Sequence, residues 1–84
     1  MKFNVNKGFI TQKISGKITI FDSENSQLIT LNNTATFIFG SIKKGRDSEE
    51  IIEQIVRNYK VSRERVKDDF AQTIHELIKL KIIK

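Results

Sequence analysis

The side chains able to do chemistry are few: one histidine, His75, and no cysteine occur among 84 residues. Thiol nucleophiles, disulfides and thiolate metal sites are therefore excluded. His75-Glu76-Leu77-Ile78-Lys79 resembles a zinc-protease helix motif, but Lys79 stands where the second imidazole ligand is needed. One imidazole does not build that site. Gly40-Ser41-Ile42-Lys43-Lys44-Gly45 resembles the start of a phosphate loop, yet Arg46-Asp47 replaces the Lys and Ser or Thr that hold phosphate and magnesium. It reads as a helix end. No signature places a serine beside His75 for activation as a nucleophile. Asp68 and Asp69 are adjacent, so on a helix they point about 100° apart and cannot converge on one bond. Asp69 borders an apolar stripe beside Val66, Phe70 and Thr73, so it either rims a groove or pairs with Arg65 one turn earlier. No catalytic set, metal or cofactor is expected. The chain reads as a binding module rather than an enzyme.

The elements that must carry these residues follow from the pattern. Phe9 to Ile14 and Lys17 to Asp22 alternate about Ser15-Gly16, which predicts a hairpin with Ile18 and Ile20 on one face and Thr19 and Phe21 on the other. After a polar turn at Asp22 to Ser26, Gln27-Leu28-Ile29-Thr30-Leu31 supplies a third strand. The period then changes. Asn32-Asn33-Thr34 caps a first helix with Ala35, Ile38, Phe39 and Ile42 inward, ending near Lys44 with Gly45 as its left-handed cap. Asp47 and the acids Glu49 and Glu50 open a second helix whose buried stripe is Ile51, Ile52, Ile55, Val56 and Tyr59. Ser62 caps a third, longest helix with Val66, Phe70, Ile74, Leu77 and Ile78 inward. The four glycines are expected to punctuate elements. Strands and helices in segregated runs predict an α+β fold with a three-stranded antiparallel sheet followed by three helices.

Size and composition fit one small domain spanning 1–84. Apolar residues make up 38 % and charged residues 30 %, enough for a core under a solvated surface. The longest apolar run is Phe37-Ile38-Phe39, and Met1 to Gln12 holds no signal-peptide core, so the expected location is the cytoplasm, with no membrane partner. Net charge is +5, and four lysines with no acid precede Asp22. A lysine-rich strand region can attract an acidic peptide or nucleic acid, but an exposed lysine-rich face more often protects sheet edges and keeps the chain soluble.

Leu31-Asn32-Asn33-Thr34-Ala35, then Ile38-Phe39, Ile42 and Gly45, then Glu50-Ile51, Tyr59, Val66, Asp69 and Leu77, resemble the PqqD-like family, also called RiPP recognition elements. The resemblance spans roughly Lys17 to Ile83 and is most specific at the Leu-Asn-x-Thr-Ala segment. Membership implies a winged-helix-like fold of three strands and three helices, and a non-catalytic protein that binds the leader segment of a ribosomally synthesised precursor peptide and presents it to maturation enzymes. In the family the leader adds as a strand to the third strand and lies against the third helix. That maps here to Gln27, Leu28, Ile29, Thr30 and Leu31, and to Val66, Asp69, Phe70 and Thr73, with Ile29 and Phe70 expected to form the pocket. An open strand edge can hold any extended peptide, and side-chain pockets supply selectivity. Two positions depart from the family: Thr73 replaces a large apolar or aromatic residue, and Lys81 replaces a glycine before the final apolar pair. The second implies a third helix that continues through Lys81 or ends without a glycine cap.

At this length no fused catalytic domain is expected, so the resemblance implies separate partners: a leader protease and cyclase of a lasso-peptide pathway, or a radical SAM enzyme of a PQQ-like pathway. The compact size leans toward the lasso type. The alternative is a winged-helix DNA-binding protein using Arg63, Arg65 and Lys67 of the third helix. Glu64, Asp68 and Asp69 lie in the same turns and repel phosphate, so nucleic acid is the disfavoured partner.

Overall fold

A computed structural model describes all 84 residues. The elements run β1 (Phe9–Ile14), β2 (Lys17–Asp22), β3 (Gln27–Thr30), α1 (Asn33–Lys43), α2 (Ser48–Tyr59) and α3 (Arg63–Lys79). Both strand pairs are antiparallel, and the sheet order is β1-β2-β3. Ser15 and Gly16 both take positive φ, 51° and 80°, which matches the turn to the right-handed twist of the hairpin. At the next turn the Asp22 carboxylate accepts from the Glu24 and Asn25 N–H groups at 3.1 and 3.3 Å and from Asn25 Nδ2 at 2.8 Å. The Asn25 side-chain bond, helped by those two N–H groups and opposed by burial, holds the Asp22 carboxyl below its ordinary value.

The helix starts are local chemistry. Asn32, Asp47 and Ser62 each accept from the N–H three residues on, at 2.8, 2.9 and 3.3 Å. The helices cover one face of the sheet. Ile20 and Leu31 meet Ile38 and Phe39 of α1, Ile51 of α2, and Phe70 and Leu77 of α3 in one buried cluster. Two expected core positions differ: Tyr59 ends α2 with 59 % of its surface exposed, and Ile78 is 46 % exposed. At 100° per residue Val66, Phe70, Ile74 and Leu77 share an arc of about 80°, while Ile78 falls about 120° from Val66. Gly40 also lies inside α1 rather than between elements.

The two ends of the chain close the core. Asn4 and Lys84 exchange backbone hydrogen bonds of 2.8 Å each, Asn6 N–H reaches the Ile82 carbonyl at 2.8 Å, and Val5 bridges Ile83. Ile82 and Ile83 are thereby buried, and the Phe3 ring packs on Phe70 with centroids 6.4 Å apart. No helix is long and apolar enough to cross a membrane.

Helix α3 stops at Lys79, short of the continuation through Lys81 that the missing glycine allowed. Its end is left-handed all the same. Lys81 takes φ 61°, its N–H reaches the Ile78 carbonyl at 2.9 Å, and the Ile82 N–H reaches Leu77 at 2.9 Å, which is the Schellman pattern closed by lysine. A side chain in this conformation costs about 1–2 kcal/mol. Lys81→Gly is expected to stabilise the domain by about 1 kcal/mol, read as a raised denaturant midpoint with an unchanged slope.

Candidate functional site

Strand β3 is hydrogen-bonded on one side only, because it ends the sheet. Which of its groups point outward follows from the register. Leu31 N–H donates to the Ile18 carbonyl at 2.8 Å, so Leu31 opposite Ile18 is a hydrogen-bonding position. In an antiparallel ladder these positions alternate, so Ile29 also turns its N–H and C=O inward to Ile20, while Leu28 and Thr30 present theirs to the free edge. The edge therefore offers two donors and two acceptors to an extended chain.

Beside this edge lies an open cavity of about 460 Å³. Its strand wall is Ile29, Thr30 and Leu31, and its helix wall is Asp69, Gln72, Thr73 and Glu76. The helix residues recur at helical spacing, so α3 shows the groove one polar face while its apolar face enters the core. Leu77 and Leu80 close the bottom, and Asn32, Thr34 and Ala35 of the α1 entry form the end. The Leu-Asn-x-Thr-Ala segment thus divides its labour: Leu31 and Ala35 are buried, Asn32 caps α1, and Thr34 lines the groove.

Among the nine expected site residues, Ile29, Thr30, Leu31, Asp69 and Thr73 line this cavity. Leu28 lies on the edge with its side chain 70 % exposed, and Gln27 opposes Asp22 at the start of β3. Val66 and Phe70 are not on the wall. They are 3 % and 7 % exposed inside the core cluster, where only Leu77 of the α3 stripe reaches the groove. Gln72, Glu76 and Leu80 join the wall unanticipated, although the i, i+3, i+7 spacing from Asp69 marks Gln72 and Glu76. Asp69 does not pair with Arg65; the one ion pair joins Arg63 of α3 to Glu53 of α2. With Arg63 so engaged and Asp69 and Glu76 facing the groove, α3 lacks the basic face a major-groove helix requires.

Behind the strand end of the groove, Thr36 bridges β2 and the end of β3. Its buried hydroxyl accepts from Ile18 N–H at 3.0 Å and donates to the Leu31 carbonyl at 3.3 Å. These two groups would otherwise complete the pair that Leu31 N–H makes with the Ile18 carbonyl, so the hydroxyl inserts into one bond of that pair. Thr36→Val is expected to cost about 1–3 kcal/mol, since it strands a donor and an acceptor. Thr36→Ser should restore most of it, and thermal melting of the two variants checks the difference.

Fold and groove together define a winged-helix-like α+β module with an open strand edge over a polar helix face. Residues 18–83 match the family described as Coenzyme PQQ synthesis protein D (PqqD), and the chain belongs to that family. A search of curated protein sequences returned no match. Two solved structures share the fold. One is TbiB1 in complex with the TbiA(beta) leader peptide: TM-score 0.89 and 19 % identity, covering 100 % of this chain and 95 % of that one. The other is a lasso peptide synthetase B1 complexed with the leader peptide: TM-score 0.91 and 17 % identity, covering 100 % and 99 %.

Proposed function

We propose that this chain is a non-catalytic module that captures the leader segment of a ribosomally synthesised precursor peptide and presents it to separate maturation enzymes in the cytoplasm. One observation carries the reading: the unpaired edge of β3 borders a groove whose far wall is α3. The leader adds antiparallel or parallel to β3 by backbone bonds at Leu28 and Thr30, and alternate side chains enter the groove toward Asp69 and Thr73. Gln27 and Leu31 bound the paired segment, while Val66 and Phe70 support α3 from beneath. Membership of the PqqD family and the two leader-bound structural relatives support this over nucleic-acid binding. The lasso peptide synthetase relative favours a lasso-type pathway, with a protease and cyclase as partners, over a radical SAM enzyme.

The test is chemical-shift mapping with synthetic peptides tiled along any short reading frame found beside the gene. The largest shifts are expected on Leu28 to Thr30 and Asp69 to Thr73. Shifts confined to Lys2 to Lys17 or to α2 would place the site elsewhere, and no response to any tile would remove the reading.

A further inference from the structure

Two open cavities of about 470 and 430 Å³ lie between α1 and the β1-β2 hairpin. They share Lys13, Ile18, Gly40 and Lys44, so they form one continuous trough. On the helix side Asn33, Phe37, Gly40 and Lys44 recur at i, i+4, i+7 and i+11, which places them on one face of α1. The charge there is one-signed: Lys13, Lys43, Lys44 and Arg46 line the trough, and no acid does. None of these cations pairs with a carboxylate. Lys43 Nζ donates to Thr11 Oγ1 at 3.1 Å, Arg46 donates to Gln54 Oε1 at 2.9 Å, and the chain's one ion pair joins Arg63 to Glu53. Gly40 is a second, independent observation. Glycine weakens a helix interior relative to alanine, and neither backbone nor packing calls for it here. Its φ is not positive, and a β-carbon at position 40 would meet nothing beyond the helix's own backbone within 4 Å. The missing side chain bares the helix backbone on the trough floor, where another chain can approach closely.

We infer that this trough takes a second, acidic stretch of the precursor peptide whose first stretch pairs with β3. The inference rests on the leader reading above and adds a requirement on the peptide. Thr34 lines the leader groove and Asn33 lines the trough, so the two sites abut at the first turn of α1. Their charges are opposite. Asp69 and Glu76 stand on the wall of the groove and only cations on that of the trough, so the pair selects a charge-segregated peptide and fixes which way it runs. About a dozen extended residues match the molecule's longest dimension of 37 Å, so a short peptide reaches both sites. Single-stranded nucleic acid is the poorer occupant, because successive bases stack on successive exposed rings and Tyr59 is the only exposed aromatic on the trough.

The experiment uses the full chain and the tile that shifts Leu28 to Thr30, extended at either end by a run of glutamates or of glutamines through a spacer of about a dozen glycines and serines. At one end the glutamate run is expected to bind about tenfold tighter than its glutamine counterpart, since tethering raises its local concentration at the trough. New shifts should then appear on Lys13, Gly40 and Lys44, and high salt should shrink the gain. Lys13→Gln/Lys44→Gln and, separately, Gly40→Leu are expected to abolish most of the gain, with the unextended tile binding within about twofold of the unaltered chain. The leucine leaves every charge in place and fills the floor, so a gain that survives it would be diffuse attraction and would overturn the inference. Equal affinity for the glutamate and glutamine peptides at both ends would overturn it as well. A thymidine oligonucleotide that shifts the same residues at lower concentration than the glutamate peptide would assign the trough to nucleic acid instead. Failure of the leader reading looks different: the unextended tiles then leave β3 unmoved and the inference falls with it, whereas failure of the inference alone leaves β3 shifted and the trough silent.

Discussion

Proline at Thr30 is expected to lower leader affinity about 10- to 100-fold in a domain that still folds, whereas proline at Ile29 is expected to unfold it. The two positions are adjacent and differ in where the N–H points. Thr30 N–H faces the free edge by the alternation fixed at Leu31 and Ile18, so its loss breaks no internal ladder bond. The proline ring then stands where the incoming strand must approach, which adds a clash to the lost donor. Ile29 N–H points to Ile20, a fully buried residue at the sheet centre, so the same ring opens β3 from β2. Isothermal titration with the leader, paired with far-ultraviolet circular dichroism of each variant, separates the outcomes. Equal loss of binding at Ile29 and Thr30 with both variants folded would mean that the peptide does not pair with this edge.

Alternation in Gln27 to Leu31 reveals which side chains face inward, but backbone direction depends on register against β2, which no local pattern encodes. The helix caps at Asn32, Asp47 and Ser62 were legible because each bond spans three residues. The Asn4 to Lys84 pairing was not, since it joins the ends of the chain through backbone groups that every sequence possesses. The stripe of α3 was read correctly as apolar. Val66 and Phe70 were expected both inward and at the peptide pocket, because they look the same in sequence whether they face a groove or a core, and the structure sets them in the core cluster. Lys81 shows the opposite case: the missing glycine was visible, and the fold kept the left-handed turn regardless. Burying Ile82 and Ile83 outweighs about 1–2 kcal/mol of backbone strain.

The burial of Phe70 in the core sets the sign of the remaining large effect. Were Phe70 on the groove wall, its truncation would weaken peptide binding at modest cost to the fold. Buried at 7 % exposure and stacked at a tilt on Phe3, it instead ties α3 to the segment that the chain ends hold together. Phe70→Ala is expected to destabilise the domain by about 3–5 kcal/mol. An 84-residue chain has only about 4–13 kcal/mol of stability in total, so the melting temperature should fall by about 20 °C or more. Asp69→Ala and Thr73→Ala, one residue before and three after on the polar face, should each move stability by no more than about 0.5 kcal/mol. They are expected to weaken leader binding severalfold, because they line the groove and Asp69 forms no ion pair within the chain. Denaturant unfolding and leader titration on the three variants give a crossed pattern, with stability lost at Phe70 and affinity lost at its neighbours. If Phe70→Ala keeps its denaturation midpoint and loses leader affinity, the apolar face of α3 lines the peptide site and the polar face does not.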